Sequence, residues 1–494
     1  MKKLILPILC AAMLLSSCAS YTTVETSLPL GAASPSLSVT SVGEMTEEVR
    51  GAWIATAWNI NFPSAPDLPE SALRSELDAI VETARSLGLN ALYFQVHPSS
   101  DAMYRSSLFP VSRYLSTDGG LYFDPLEYLI DICHRDNIAV HAWVNPLRVT
   151  VDKASSRDDA LAGLDPLIAP ELTVYHPDGK LYFDPGLPEV RELIADCVGE
   201  IVSGYDVDGV IFDDYFYPSA TDGRDFDDDA SYTKYGNGAK KDDWRRENVN
   251  LMIRGCYERI KSIRADCLFG VAPCGIWRND DGQNGGSATR GMEGYSQIYC
   301  DALAWAKGGY VDYLSPQIYW EFENTAAPFG ELCEWWNRQL DGTGVGFVPS
   351  LAAYRYDGDW DSPAGEITSQ IAFGRKMISY RGAIYYGFAS IRENSVGIAD
   401  EIVKVNSDGY YYTSPVDIPY ALEVFSPITG IVTDENTVTL SGRSDPKLPL
   451  TVNGVVVSRR VGGCFEAEYS LSDGENVITV KCGDSEKTLH IYKR

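Results

Sequence analysis

Positive charge is in short supply in this chain. Lys and Arg number 41 against 69 Asp and Glu over 494 residues, a formal net charge of −28 at pH 7. So acidic a chain repels a phosphate backbone, which excludes nucleic acid as a partner. Histidine is scarce, at five residues, and the 11 cysteines include no C-x-x-C pair, so the common zinc and dithiol patterns are missing. After the first predicted strand stands Thr56-Ala-Trp-Asn-Ile-Asn61 rather than a glycine-rich phosphate turn, and no cofactor is called for. No Ser or Cys nucleophile falls into a triad. Beyond the N-terminus no apolar run is long enough to span a bilayer.

What remains is the composition of an ordinary globule, 45% hydrophobic and 22% charged, long enough for one large domain and a small one. Aromatics make up 11%, with 30 Tyr and 10 Trp; such faces suit sugar rings but also fill cores. Met1-Lys-Lys, the apolar run Leu4 to Leu15 and Ser16-Ser17-Cys18 read as a signal peptide over residues 1–17. Leu15-Ser-Ser-Cys18 resembles the bacterial lipoprotein processing box, which makes Cys18 the lipidated first residue of a mature chain held on a bacterial membrane, periplasm-facing or at the cell surface. Residues 18–47, rich in Ser, Thr, Ala and Pro, read as the tether. Cys464 and Cys482 are candidates for a disulfide in that compartment.

From Val49 the chain alternates strand and helix. Predicted strands cover Val49–Ala55, Ala91–Val96, Ile138–Val144, Val210–Phe212, Leu268–Ala272, Val311–Tyr319, Val345–Ser350 and Ala383–Phe388, with amphipathic helices between them and a last helix from Arg392 to Asn406. Val174–Phe183 reads as a hairpin about Asp178-Gly179. The expected fold for residues 48–410 is an α/β (β/α)8 TIM barrel with long βα loops; a doubly wound open sheet competes with it. Residues 411–494 change to short alternating runs with Asn453-Gly454 and Asp473-Gly474 turns. They are expected to form a small all-β immunoglobulin-like sandwich in an accessory, spacer or docking role.

The chain centres on Asp206-Val-Asp-Gly-Val-Ile-Phe-Asp-Asp-Tyr-Phe-Tyr-Pro218, a buried strand running into acids and aromatics. In the two-residue period, Val210 and Phe212 face the helices and Gly209, Ile211 and Asp213 face the barrel axis, with Asp214 at the rim. An Asp pair alone could equally cap the next helix. The other strands repeat the pattern, however. Tyr93, Gln95 and His97 face in; so do His141, Trp143 and Asn145, and Ser315, Gln317 and Tyr319, with Glu321 in the same phase if that strand continues. Buried polar groups are costly without a purpose. Carboxylates among amides and indoles suit glycosidic cleavage, where one acid protonates the leaving oxygen and the other attacks or activates water. Asp213 and Glu321 are the in-phase pair, with Asp214 in reserve. A metal site from His97, His141 and Asp213 is the weaker alternative, since ligand spacing is lacking.

Arg50-Gly-Ala-Trp-Ile54, His141-Ala-Trp-Val-Asn-Pro146 with Arg148, Asp208 to Pro218, Phe269-Gly-Val-Ala-Pro273 with Gly275-Ile-Trp-Arg-Asn279, and Pro316-Gln-Ile-Tyr-Trp320 together resemble the glycosyl hydrolase-like 10 family over residues 48 to 406. The resemblance implies a TIM-barrel hydrolase of carbohydrate, often a bacterial lipoprotein. More distantly, Asp208-Gly-x-x-x-Asp213 is similar to the strand-four motif of α-amylase-type enzymes, which casts Asp213 as nucleophile. Their strand-five glutamate is absent, Ala272-Pro-Cys-Gly standing there. Gln317-Ile-Tyr319 is similar to the strand-six pattern of chitinase-like barrels, but Tyr215 falls where their catalytic Glu would be. The expectation is thus a lipid-anchored glycoside hydrolase cleaving O-glycosidic bonds of a cell-wall or environmental glycan. Gln95, His97, His141, Asn145, Arg148, Gln317 and Tyr319, with Asn59, Tyr215 and Asn279, would hold hydroxyls, and Trp58, Trp277 and Trp320 would stack on rings. The alternative is a carbohydrate-binding lipoprotein without turnover on the same barrel.

Overall fold

The computed structural model describes residues 48–494 apart from 214, 358–364, 407–421, 428, 445–447 and 458–463. The expectations for the leader, Cys18 and the tether lie outside the described residues, as do Asp214 and the boundary drawn at 410.

The first part of the chain is a parallel sheet wrapped by helices. Its strands are β1 (Val49–Ile54), β2 (Ala91–His97), β3 (Ala139–Val144), β6 (Gly209–Phe212), β7 (Leu268–Val271), β8 (Tyr313–Leu314), β9 (Gly346–Phe347), β10 (Ser350–Ala352) and β11 (Gly382–Tyr386); β4 (Thr173–Tyr175) and β5 (Leu181–Phe183) form the separate hairpin. The sheet order is β10-β11-β1-β2-β3-β6-β7-β8-β9. Its two ends are successive halves of one stretch divided by Val348 and Pro349, so the sheet curls round upon itself. Val348 N–H donates to Leu314 O at 2.9 Å and Ile384 N–H to Pro349 O at 3.0 Å across the break. This is a TIM-barrel-like α/β fold.

The two faces of each strand do different work, as the alternation predicts. Leu92, Phe94, Val96, Val140, Val210, Phe212 and Leu314 join the helices' Leu77, Ile80, Leu129, Ile194 and Val198 in the large outer core. Trp53, Tyr93, Trp143, Ile211, Tyr313, Val348 and Ile384 form a separate core inside the sheet. Two tryptophans there need polar ends satisfied. Trp53 packs edge-on against Trp143 at 4.9 Å, and its Nε1–H donates to Ser350 Oγ at 3.0 Å. Gly209 and Gly270 make room for this filling, because a Cβ on either would run into the His141 or Tyr313 ring.

Differences from the sequence expectation follow the prolines and local breaks. Expected strand Val311–Tyr319 keeps ladder pairing only at Tyr313–Leu314, with single bridges at Gln317, since Pro316 has no N–H to donate. Pro349 divides the seventh strand for the same reason. The expected last helix, Arg392 to Asn406, is helical from Ile398 to Asn406; a short helix, Phe388–Arg392, precedes it across a break where Asn394 and Val396 take φ of 52°. The long acidic loop after β6 is more ordered than its composition suggests. It carries a helix at Asp229–Tyr235 and is pinned by Arg245, which is fully buried and grips Asp228 through Nε and Nη2, each at 2.7 Å.

The C-terminal part is all β. Glu423–Ser426, Thr437–Arg443 and Cys464–Ser470 form a three-stranded antiparallel sheet. Val432–Thr433, Ser485–Lys493, Gly474–Cys482, Leu450–Val452 and Val455–Val456 form a five-stranded one. Leu440, Leu450, Val452, Phe465, Tyr469, Ile478, Val480 and Ile491 make its own core. The Asn453-Gly454 turn is present, with both residues at positive φ (48° and 81°). The side chain of Cys464 lies outside the described residues, and with it the pairing to Cys482.

Candidate active site

Asp213 follows the last residue of β6 and is buried, at 4% exposure. Its Oδ2 accepts from Trp143 Nε1–H at 3.0 Å and from the Asn145 amide, while Oδ1 accepts from Tyr215 N–H at 3.2 Å. Both side-chain donors come from the end of β3, the strand paired with β6. Asn145 works in both directions. Its Nδ2 donates to Asp213, and its Oδ1 accepts from Gln95 Nε2 at 2.8 Å and from Arg148 Nη2 at 2.5 Å. Gln95 in turn accepts through Oε1 from Thr56 and Ala57 N–H, each at 2.9 Å. Three strand ends and the loop after β1 are thereby tied into one polar network around a carboxylate.

Arg148 lies beside this network at 5% exposure. Its Nε and Nη2 donate to Pro98 O at 2.9 and 2.6 Å. Tyr215 and Trp58 lie against its guanidinium, at 4.8 and 5.8 Å. These two aromatics are about half exposed (50% and 51%), so they supply open faces at the carboxyl ends of the strands. Trp58 and Asn59 hold φ of 53° and 55°, a left-handed conformation that costs on the order of 1 kcal/mol or more for such residues. The β4–β5 hairpin closes on the same place through an antiparallel bridge between Arg148 and Tyr182.

The other candidate residues are distributed differently. His97 leaves the inward phase, because a register irregularity between Gln95 and His97 pairs it with Val144. It is fully buried with its ring 4.4 Å from Phe109; burial, aided by the Arg148 charge, pushes its pKa down to about 3. His141 is inward, but one layer below Trp143, in register with Tyr93 and Gly209. It lines a cavity of about 480 Å³ with Asn90, His134, Asp208 and Tyr313 at the amino ends of the strands. Its Nδ1 is 2.9 Å from the Tyr313 hydroxyl, and burial lowers its pKa to about 4. Neither histidine meets Asp213, so the residues of the expected metal alternative are not brought together. Both were expected to hold hydroxyls at the mouth, and both are corrected: the bulge removes one, the layer removes the other.

For Glu321 the strand-phase argument is corrected. The β8 ladder does not reach it, and the chain turns there, Asn324 N–H donating to Glu321 O at 3.2 Å. Its carboxylate meets Asn324 Nδ2 at 3.4 Å and lies near Glu366, whose pKa is raised chiefly by burial and in part by Glu321 and Glu323. Strand phase therefore does not set it opposite Asp213. Asn59 donates to Pro63 O and Tyr114 O (2.8 and 2.9 Å), and Asn279 is bonded to Glu293, Gly291 and Thr289, so both amides are engaged in holding their own loops. Trp277 stacks on Trp335 at 5.7 Å and donates to Asp301 Oδ1 at 3.1 Å. Gln317 donates to Ala272 O at 3.0 Å, Tyr319 stacks on Tyr386 at 5.8 Å, and half-buried Trp320 packs over Gly275. The sequence reading missed Trp143 as a partner of Asp213, although its inward phase between His141 and Asn145 was the available signal. Thr56 and Pro98 contribute backbone groups, which side-chain patterns do not reveal.

A curled parallel sheet with a buried carboxylate, amides, an arginine and open aromatic faces at its carboxyl end has the layout of a barrel hydrolase of glycans. The chain belongs to the glycosyl hydrolase-like 10 family, whose model matches residues 48–360. It is 33% identical over 388 residues to Glycosyl hydrolase YngK of Bacillus subtilis (strain 168), covering 75% of this chain and 73% of that protein. It is 32% identical over 402 residues to Glycosyl hydrolase DigH of Escherichia coli (strain K12), covering 76% and 90%. Among solved structures, the PgaB (BpsB) glycoside hydrolase domain from Bordetella bronchiseptica is similar at TM-score 0.46 and 14% identity, covering 73% of this chain and 99% of that one. The endo-beta-1,4-mannanase from Thermotoga petrophila is similar at TM-score 0.45 and 13% identity, covering 91% and 98%.

Proposed function

We propose that this protein is an exported, lipid-anchored glycoside hydrolase that cleaves O-glycosidic bonds of a poly- or oligosaccharide at the carboxyl end of a (β/α)8 barrel. The observation that carries the reading is Asp213, held by Trp143 and Asn145 beside half-exposed Trp58 and Tyr215. An amide and an indole both donate to Oδ2, so this oxygen is held as an acceptor, which suits a nucleophile or a base more than an acid. Aromatic faces bind the apolar faces of sugar rings, and fixed amides orient hydroxyls. The general acid is Asp214 or Glu321.

Turnover by the purified mature chain on a library of polysaccharides and bacterial wall glycans tests the activity. Asp214→Asn and Glu321→Gln then separate the acids. The variant that loses cleavage of ordinary glycosides but keeps it on substrates with an activated leaving group carried the acid. If no glycan is cleaved yet one binds, the non-catalytic carbohydrate-binding reading replaces this one. Lipid attachment is tested by metabolic labelling with a fatty acid analogue: Cys18→Ala should abolish the label, and a labelled variant would refute the anchor. The C-terminal unit, read as an immunoglobulin-like sandwich, serves as a spacer or docking module; its deletion should leave turnover on a soluble oligosaccharide intact.

A further inference from the structure

We infer that Arg148 selects a glycan that carries a negative charge on its sugars, with a carboxylate as the anionic group. This rests on the reading of the mouth as a glycan site. A charge as buried as Arg148 is normally paired. The chain holds 69 acids against 41 cations. Arg245 grips Asp228 and Arg375 grips Glu48, while the similarly buried Arg381 donates to the carbonyls of Ile378 and Tyr380. Arg148 differs from Arg245 and Arg375. Among the described residues no carboxylate lies within ion-pair distance of it; its acceptors are Pro98 O and Asn145 Oδ1.

Those acceptors engage Nε and Nη2, and Nη1 donates to no described residue. Carbonyl oxygens and two aromatic faces offset part of a guanidinium's charge but do not neutralise it. Asn145 bridges Arg148 and Asp213, its Oδ1 turned to the one and its Nδ2 to the other. Trp58 is held against the guanidinium by a backbone in the left-handed region, a strain found at ligand clamps. The place so built has a cation with spare donors between two open aromatic faces. A sugar ring lying on Trp58 or Tyr215 would bring a ring or side-chain carboxylate to Nη1, forming a charge-assisted hydrogen bond.

The rival role is purely internal, Arg148 serving only to hold Asn145 and, through it, Asp213. Binding to the full mature chain distinguishes the two, and it requires no turnover. The probes are hexuronate oligosaccharides and bacterial wall glycan strands, each paired with its carbodiimide-reduced neutral form, and sulfated hexose oligosaccharides as the arm that separates sulfate from carboxylate. Wild type should prefer a carboxylated form over its reduced partner by roughly 10- to 100-fold, the worth of a charged hydrogen bond, with affinity falling as salt is raised. In Arg148→Gln that ratio should fall toward one and the salt dependence should flatten; Arg148→Lys should restore part of both. If Arg148→Gln weakens charged and neutral forms by the same factor, or wild type prefers the neutral form, the inference is overturned. Preference for the sulfated sugars over the carboxylated ones overturns the assignment of carboxylate. Failure of turnover on every glycan would remove the hydrolase reading while leaving this binding comparison intact.

Discussion

Acid should destabilise this barrel through its two neutral histidines, and His141 allows the effect to be isolated. In the fold its pKa is about 4 against an ordinary 6.5, and burial is the main cause. The unfolded chain therefore takes up the proton first as pH falls. Stability should be unaffected above about pH 7, decline from about 6.5, and level off near 4. At ~1.4 kcal/mol per unit, the full loss from His141 is roughly 3 kcal/mol. His97 acts in the same direction over a wider window, down to about 3. Buried carboxyls such as Glu48, whose pKa is raised, titrate too, so the raw pH curve is a mixture. The difference between wild type and His141→Gln removes them. Gln keeps a hydrogen-bonding end for Tyr313 but takes up no proton. Urea unfolding monitored by tryptophan fluorescence at pH 7, 6, 5 and 4.5 should give wild type a steeper decline by up to ~1.4 kcal/mol per pH unit between 6 and 4.5. Parallel curves for the two proteins would refute the assignment of a buried, neutral imidazole.

Two further outcomes follow from the packing. Asp228→Asn leaves Arg245 buried without its bidentate partner and should cost about 3–5 kcal/mol in the urea midpoint, whereas a loss under 1 kcal/mol would mean that the acidic loop is not pinned there. Gly209→Ala drives a Cβ into the His141 ring and should cost about 1–3 kcal/mol, while Gly204→Ala, where nothing stands within 4 Å, should be neutral within about 0.5 kcal/mol or stabilising; equal effects at both would contradict the close filling of the barrel.

Much of the fold was legible because a buried parallel strand states its two faces plainly. The inward set Tyr93, Trp143, Ile211 and the outward set Leu92, Val140, Val210 fall into separate cores as alternation requires. Alternation says which side a residue faces but not at what depth. That is why His141, correctly placed inward, was assigned to the mouth when it lies a layer below. Extrapolating a phase also requires an unbroken strand. Pro316 interrupts β8 before Glu321, and a bulge turns His97 aside, and neither event has a clear mark in the two-residue pattern. Asn59 stands just beyond a strand end and Asn279 ends the Gly275-Ile-Trp-Arg-Asn279 motif, which makes both read as site amides, but loops need their own backbone groups satisfied first. The strand-end residues Gln95, Asn145 and Asp213 did come together, because each followed its strand to the same end of the same sheet.

Whether Asp213 performs chemistry in the mouth or is only a hydrogen-bonding anchor is decided by comparing Asp213→Asn with wild type on whichever glycan the wild type cleaves, measuring product release by mass spectrometry and binding by calorimetry on the same samples. Asn retains the shape and an acceptor oxygen for Trp143 but cannot act as nucleophile or base. If Asp213 is the nucleophile or base, product formation falls by at least about 1,000-fold, with the dissociation constant changed by less than about tenfold. A variant that still releases product at a rate near wild type, or one that loses binding and turnover in equal measure, would contradict that role.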